Sequence, residues 1–185
     1  IKGAGVHHTV NSTPYAASDV PALLRGIYAY HVTGNGWCDV GYNFFVDRFG
    51  RLFEGRFGGM YKNVVGAQAA GFNSQTFGVS SIGNHDPGSA GAVAPSPTVQ
   101  SAIGKLIGWK AWLNGWDPST PVSYTSAGSS RWPEGTVITK PRVSGHRDFN
   151  LTTCPGDLMF SKLSSVRSTA TAAYNAGVAS ASSEV

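Results

Sequence analysis

The chain is short of cysteine, of charged residues and of long apolar runs. Its 185 residues include two cysteines, which excludes a scaffold held by several disulfides. Charged residues make up 13% and apolar residues 41%, so a disordered chain is excluded and one domain with a sizeable core is expected. No apolar run approaches the roughly 18 residues of a membrane span, and the first residues carry no signal peptide. We predict that Cys38 and Cys154 are both reduced and that Cys38 is a half-buried packing residue.

The positive charge of the chain is small and scattered. With 14 basic and 10 acidic residues the formal net charge is +4, a bias that favours an acidic polymer as a neighbour without saying which one. The basic residues form no Lys/Arg run and belong to no recognisable nucleic-acid module. We therefore expect no nucleic-acid partner. The positive charge indicates either an acidic partner of another kind or only a solvated surface.

Hydrophobic periodicity predicts a mixed α/β fold. Helices are expected at 18–33, 97–113 and 157–174, and strands at 1–6, 40–47, 51–54 and 76–82. The segment 76–82 is apolar enough for a central strand buried on both faces, whereas 114–136 lacks periodicity and is predicted as a long loop. The prediction is a single domain at 1–176, with a mixed central sheet flanked by about three main helices, followed by a flexible tail at 177–185.

A histidine and a cysteine lie close together in the last quarter of the chain. His146 and Cys154 are eight residues apart in the segment SGHRDFNLTTCPG, and the pair His7 and His8 lies far upstream. Imidazole and thiolate suit zinc, and a catalytic zinc site uses three protein ligands and leaves a fourth position for water. Side-chain alternation puts His7 and His8 on opposite faces of a strand, so only one of them is expected to face the metal. The sequence has no CxxC or HxxxH pair, which disfavours a closed structural zinc site.

Four blocks of sequence follow one another along most of the chain: VHHT at 6–9, GWCDVGYNF at 36–44, GVS at 78–80, and GHRD to CPG at 145–156. In this order they resemble the peptidoglycan recognition proteins and the related zinc N-acetylmuramoyl-L-alanine amidases. The turn DRFGR and the segment PGD at 155–157 most resemble the actinobacterial members. The resemblance implies the fold of that family and one Zn²⁺ per chain, held by His7, His146 and Cys154.

The resemblance also implies an activity and two catalytic residues. In this family the amide bond between the lactyl group of N-acetylmuramic acid and L-alanine of peptidoglycan is hydrolysed. Tyr42 matches the family's tyrosine at the attacking water, and Thr152 matches a position that holds Lys in phage amidases and commonly Thr in recognition proteins. We predict that Tyr42 orients the nucleophile and shares in proton transfer, and that Thr152 donates to the oxyanion. Packing for Tyr42 and a backbone bond for the Thr152 hydroxyl are the alternatives.

Four more residues are candidates for binding substrate: His31, Trp37, Gln68 and Arg147. Trp37 offers an aromatic surface for a sugar, and Gln68 stands where many relatives have a histidine that helps to hold the stem peptide. Arg147 adjoins a predicted ligand, so it either orients that ligand or forms a surface ion pair. His31 and His85 are further candidates for a fourth ligand or for residues of a groove wall.

The resemblance leaves two other functions open. One is a module of the same fold that binds peptidoglycan without cleaving it, for which loss of the cysteine ligand is the family signature. The other is a zinc hydrolase of a different cell-wall amide or ester. In each case the expected partner is peptidoglycan or another wall component, and the family implies a secreted, cell-wall-associated protein. We expect a monomer.

Overall fold

The structure is a computed structural model that describes residues 1–182 and confirms a mixed α/β fold. Its strands are β1 Gly3–His8, β2 Phe44–Val46, β3 Leu52–Glu54, β4 Thr76–Ser81, β5 Pro121–Thr125, β6 Val137–Pro141 and β7 Val143–Gly145. Its helices are α1 Val20–Ala29, α2 Pro97–Leu113, α3 Asp157–Phe160 and α4 Leu163–Ser182, with short turns of helix at Ala17–Asp19, Tyr30–Gly34 and His146–Asp148. The main sheet has the strand order β3-β2-β4-β1-β7.

The topology of the main sheet gathers several chain segments at one edge. Strand β1 pairs in parallel with β4 and β7, β2 pairs in parallel with β4, and only β3 runs antiparallel. Parallel strands end at the same edge of a sheet, and this carboxyl edge is where α/β folds place ligands. The last residues of β1 and β4 therefore lie beside the segment that follows β7, and that segment begins with His146.

Side-chain alternation gives the two faces of the sheet different residues. On one face, Val6 lies beside Val79 and belongs to the main apolar cluster with residues of α2 and α4. On the other face, His7 lies beside Ser80. Both strands are buried along their whole length, as predicted for the segment 76–82. The two faces are thus equally shielded from water but chemically different.

Helices α2 and α4 cover the apolar face because glycine lets them approach closely. A Cβ added at Gly104 would lie 2.6 Å from the Thr169 Cβ, and one added at Gly108 would lie 2.4 Å from the carbonyl oxygen of Ala170. Contacts this short are sterically forbidden, so any larger residue would force the helices apart. The close pairing fixes the apolar layer on which the sheet rests.

Two segments differ from the sequence prediction. Within and beyond the predicted loop 114–136, strands β5 and β6 pair as a separate antiparallel hairpin, held by the buried side chains of Tyr124 and Ile138. Helix α4 continues through 177–182, where a flexible tail was predicted. Gly177 packs against the ring of Trp112 there, and alanine and serine are compatible with a helix. Residues 183–185 of the predicted tail lie outside the described residues.

The two cysteines are reduced, as predicted, but one of them is not buried as expected. Both cysteines are free, but Cys38 is exposed rather than half-buried, and its sulfur accepts a hydrogen bond from the Arg56 guanidinium at 3.0 Å. It lies in the turn region before β2 rather than in a strand, so it has no core layer to join.

Within residues 1–182, every helix falls short of the length and hydropathy that crossing a bilayer demands.

Candidate metal centre and adjoining groove

The three predicted zinc ligands come together at the carboxyl edge of the sheet. One ligating atom from each of His7, His146 and Cys154 lies within 4.8 Å of the other two. His7 Nδ1 is 3.7 Å from Cys154 Sγ, and the rings of His7 and His146 are 4.6 Å apart between centroids. Among the residues described, no fourth His, Cys, Asp or Glu joins this group. The arrangement therefore matches an open three-ligand site rather than a closed structural one.

The chain delivers these ligands from two strands and one returning loop. His7 is the second-last residue of β1, and His146 begins the short helical turn that directly follows β7. The backbone then folds back, because the Arg147 N–H donates to the Cys154 carbonyl at 3.0 Å. The carboxylate of Asp148 also accepts from the Gly145 N–H at 3.0 Å. This closed loop brings a cysteine eight residues downstream back beside His146.

Burial keeps all three ligand groups neutral at pH 7 in the absence of a metal. Desolvation lowers the pKa of His7 well below its ordinary value, with a further lowering by the charge of His146. It also lowers the pKa of His146 to about 4 and raises the pKa of Cys154 to about 12. Neutral imidazoles are ready to bind a metal, whereas the thiol must lose its proton first, so metal binding is coupled to proton release. Histidine nitrogen and cysteine sulfur are both zinc donors, and three such ligands leave one position open, so the residues fit a catalytic zinc site.

The two remaining candidate ligands are engaged elsewhere. His31 Nδ1 accepts from the Gly41 N–H at 3.1 Å. His85 contacts the Val93 carbonyl through Nδ1 at 2.6 Å and the Ser81 hydroxyl through Nε2 at 2.9 Å. Neither of them joins the ligand group, which leaves His31 as a residue of the groove wall and His85 as part of the buried support.

His8 supports the site from the opposite face of β1, as its alternation with His7 predicted. Its Nδ1 accepts from the backbone N–H of His85 at 3.1 Å, and its Nε2 lies 3.8 Å from a carboxylate oxygen of Asp86. The Asp86 carboxylate in turn accepts from the Thr153 hydroxyl at 3.2 Å. This chain of contacts ties the end of β1 to the residue that precedes Cys154.

Tyr42 lies against the metal centre. Its ring is 5.1 Å from that of His7 and 5.6 Å from that of His31 between centroids. Burial raises the pKa of the Tyr42 phenol above its ordinary value, and a negative charge on Cys154 would raise it further. The phenol is therefore protonated at neutral pH and acts as a hydrogen-bond donor next to the predicted ligands.

A groove lies between helix α1 and Tyr42, whose ring packs against that of His7. It has a volume of about 440 Å³, and its walls include Tyr30, His31 and Tyr42 together with residues that follow β1. Because His31 Nδ1 accepts from the Gly41 backbone, the ring proton of neutral His31 is on Nε2. Trp37 is 37% exposed and packs 5.0 Å from the His31 ring. Of the predicted substrate-binding residues, His31 thus lies against both Trp37 and Tyr42.

Thr152 and Arg147 lie on the other side of Cys154. The exposed Thr152 accepts the Cys154 N–H through Oγ1 at 3.2 Å, which is the backbone bond foreseen as an alternative, and its hydroxyl hydrogen is not used in that bond. The Arg147 guanidinium pairs with Asp157 at 2.5 Å, donates to the Thr153 carbonyl, and lies 4.8 Å from the centroid of the Phe160 ring. Arg147 therefore braces the cysteine loop, although both residues also line a cavity of about 540 Å³.

Gln68 is buried beneath His7 rather than exposed in the groove. Only 6% of the residue is accessible, and its Oε1 lies 2.5 Å from His7 Nε2. The predicted contact with a stem peptide would need an accessible carboxamide, and here the carboxamide faces the protein interior. Sequence reasoning missed this placement. The space for Gln68 comes from Gly5 and Gly78, and only the pairing of β1 with β4 shows that these two glycines lie side by side.

Comparison with known proteins decides the family. The family model described as N-acetylmuramoyl-L-alanine amidase matches residues 1–157, which include all four sequence blocks. The chain belongs to this amidase family. The peptidoglycan-recognition protein SC2 of Drosophila simulans is 29% identical over 160 residues, covering 86% of this chain and 71% of that protein.

Other members of the amidase family are similar over much the same region. The human N-acetylmuramoyl-L-alanine amidase is 32% identical over 160 residues, covering 85% of this chain but only 23% of that longer protein. Among solved structures, Drosophila PGRP-LB superposes with a TM-score of 0.66 at 25% identity, covering 89% of this chain and 79% of that one. Peptidoglycan recognition protein-LE, solved in complex with tracheal cytotoxin, a monomeric diaminopimelic acid-type peptidoglycan, gives a TM-score of 0.65 at 22% identity, covering 89% of this chain and 79% of that one. The fold and family predicted from the sequence are thereby confirmed.

Proposed function

We propose that this amidase-family chain is a zinc-dependent enzyme that hydrolyses the lactyl amide bond between N-acetylmuramic acid and L-alanine of peptidoglycan. The observation that carries the proposal is the intact candidate ligand set: His7, His146 and Cys154 present atoms within 4.8 Å of one another, and within residues 1–182 no fourth His, Cys, Asp or Glu joins them. A member of the family that only binds peptidoglycan has no need of a cysteine buried at this point.

The residues around the ligand set have the properties that amide hydrolysis requires. When bound, zinc supplies Lewis acidity toward a carbonyl oxygen and lowers the pKa of water. Tyr42 stays protonated and presents a donor beside His7, where it can hold the attacking water or the developing oxyanion. Thr152 has a hydroxyl hydrogen free of its bond to the Cys154 backbone and adds a second, neutral donor. The aliphatic hydroxyl of Thr152 is a weaker acid than the phenol of Tyr42, so we assign proton movement to the nucleophilic water and Tyr42 rather than to Thr152.

The groove along helix α1 gives the substrate a place next to the Tyr42 donor. His31 directs a ring N–H from the groove wall, and the exposed face of Trp37 offers an apolar surface for a sugar ring. The net charge of +4 attracts the carboxylates of peptidoglycan at long range. Because this polymer lies outside the cytoplasmic membrane, the proposed substrate places the enzyme in the cell envelope or outside the cell.

Digestion of purified peptidoglycan tests the proposal. The zinc-loaded protein is compared with chelated protein and with Cys154→Ala, and Cys38→Ala serves as the matched control because Cys38 is the second free cysteine and is exposed. We expect mass spectrometry to show intact stem peptides with a free L-alanine amine from the wild type and Cys38→Ala. Chelated protein and Cys154→Ala should release none, and zinc should restore the chelated sample.

Two results would replace the proposal by one of its alternatives. Tight binding of muropeptides without any cleavage by the zinc-loaded protein would leave a recognition module. Zinc-dependent release of products cut at another amide or at an ester would keep the hydrolase but reject the proposed bond.

A further inference from the structure

The carboxamide of Gln68 connects a zinc ligand to the sheet beneath it. Its Oε1 is 2.5 Å from His7 Nε2, and its Nε2 donates to Thr76 Oγ1 at 2.8 Å. All three residues are buried. A buried polar group destabilises the fold unless it is hydrogen-bonded. The oxygen and the NH₂ group of this carboxamide therefore each need the partner that the structure gives them.

The direction of the hydrogen bonds follows from Thr76. Its hydroxyl donates its one hydrogen to the Phe72 carbonyl at 2.9 Å, so its oxygen is left to accept. The Gln68 NH₂ group satisfies that acceptor, and the carbonyl oxygen of Gln68 must then face His7. A neutral imidazole meets a carbonyl oxygen only as a donor, so the proton of His7 lies on Nε2 and the lone pair on Nδ1. Nδ1 is the atom that faces Cys154 Sγ at 3.7 Å.

Two glycines make room for this contact. Gly5 and Gly78 are register partners on β1 and β4. A Cβ at Gly5 would lie 2.9 Å from Gln68 Oε1, and a Cβ at Gly78 would lie 2.6 Å from Gln68 Cγ. The backbone of the loop that carries Gln68 is also fixed, because Asn73 Oδ1 accepts from the backbone N–H groups of Gln68 and Ala69, each at 2.8 Å. The Gln68 side chain thus fills the space over Gly5 and Gly78 on the face of the sheet that carries His7.

We propose that Gln68 is a positioning residue that holds His7 with its proton on Nε2 and its Nδ1 directed at the metal, through the relay Thr76–Gln68–His7. The proposal rests on the proposed function in taking His7 as a zinc ligand. Histidine ligands of metals commonly donate their second ring N–H to an oxygen acceptor, which fixes the orientation of the ring. Here the acceptor is an uncharged carboxamide whose own orientation is set by a threonine.

The main variant is Gln68→Met, which keeps an unbranched side chain of similar length but removes the acceptor. We expect zinc affinity, measured by competition with a chromogenic chelator, to fall about 10- to 100-fold, the range found when such supporting partners are removed. Gln100→Met is the matched control, because Gln100 is also buried and donates to the Pro95 carbonyl at 2.8 Å on the first turn of α2. This control should lose stability but keep the zinc affinity of the wild type.

A second pair of variants addresses the relay without touching Gln68. Thr76→Val removes the hydroxyl that orients the carboxamide, and we expect it to weaken zinc binding about 3- to 10-fold, less than Gln68→Met because the oxygen acceptor is still present. Thr76→Ser keeps the hydroxyl and should retain wild-type affinity. This pair keeps the proposal testable should Gln68→Met fail to fold.

The direct readout is the His7 ring in the metal-free protein, followed by ¹⁵N NMR. The wild type should show a hydrogen-bonded Nε2–H that exchanges slowly, whereas Gln68→Met should show a faster-exchanging ring with mixed tautomers. A folded Gln68→Met protein with unchanged zinc affinity and an unchanged His7 signal would overturn the proposal. Since this signal needs neither zinc nor activity, a wild type that shows the relay but cuts no peptidoglycan would reject the proposed function and leave the positioning role intact.

Discussion

The two faces of the main sheet are buried to the same degree but filled in different ways. On the face toward α2 and α4, Val6 and Val79 belong to a continuous apolar cluster. On the opposite face, the next residues along the same two strands are His7 and Ser80, and the preceding ones are Gly5 and Gly78. One face is packed by side-chain volume, whereas the other leaves space for a carboxamide and a metal ligand.

This contrast teaches that burial alone does not distinguish a core from a site in this fold. His7 and Val6 are both fully inaccessible, yet His7 is bonded through its ring and Val6 only packs. A polar group is retained in such a place at a cost in stability, so the useful signal is a buried histidine with glycines around it. The comparison predicts that changes on one face affect stability and that changes on the other affect metal binding and catalysis.

The largest effect is expected on the site face for Cys154→Ala. Removing a ligand should lower amidase activity by at least about 1,000-fold, well beyond the 10- to 100-fold typical of supporting partners. The free energy of unfolding of the metal-free protein should fall by only about 0.5–1.5 kcal/mol, the cost of removing one buried group of methyl size. Kinetic assays and denaturant unfolding of the same preparations measure both. A loss of stability that accounts for the whole loss of activity would remove the distinction between the faces.

Next in size is Phe77→Ala on the apolar face, where the side chain is 2% exposed. Truncating a buried phenylalanine typically costs about 3–5 kcal/mol of unfolding free energy, because it removes apolar contacts and leaves a cavity. Zinc affinity of the folded protein should stay within about threefold of the wild type. Urea unfolding gives the stability, and chelator competition below the unfolding transition gives the affinity. A large fall in zinc affinity of the folded variant would show that the faces are coupled.

Tyr42→Phe should have an intermediate effect on activity and almost none on metal binding. The phenol lies next to His7 and is proposed as a donor rather than as a ligand, and loss of one such donor costs about 100- to 1,000-fold in kcat. Steady-state kinetics with a soluble muropeptide, alongside zinc titration, measures the two properties. Unchanged kcat would return Tyr42 to a packing role.

The last effect is a dependence of stability on pH in the metal-free protein. Burial is the largest cause of a lowered pKa at all five histidines, and it takes those of His8 and His146 to about 4. In the unfolded chain they titrate near 6.5, so below that value the unfolded state binds more protons than the folded state. The free energy of unfolding should therefore be greatest above pH 6.5 and fall as the pH drops toward 5. Equal stability at pH 7 and pH 5 in denaturant titrations of chelated protein would contradict this.

Much of this architecture could be predicted from the sequence, and the parts that could not have physical reasons. The strand 76–82 and the alternation of His7 with His8 follow from local pattern, because a period of two and apolar content are properties of the chain itself. Strands β5 and β6 were not predicted, because their flanks are rich in proline, glycine and serine. Their burial also depends on contacts between residues distant in sequence, such as Tyr124 and Phe149.

The candidate site divides in the same way. The cluster of His7, His146 and Cys154 was predicted from residue types and from the order of the sequence blocks, since zinc chemistry restricts which side chains serve as ligands. The role of Gln68 could not be found, because a glutamine in a loop carries no pattern, and its contact with His7 spans 61 residues of sequence. Only the folded sheet shows that the glycines at 5 and 78 lie beneath it.

X-ray absorption at the zinc edge of the loaded protein tests the central claim most directly. We predict a first shell of two nitrogens at about 2.0–2.1 Å and one sulfur at about 2.3 Å, completed by a non-protein oxygen. The sulfur should disappear in Cys154→Ala and stay in Cys38→Ala. A wild-type spectrum without sulfur, or one with a closed set of four protein ligands, would contradict the assignment of this face of the sheet as an open metal centre.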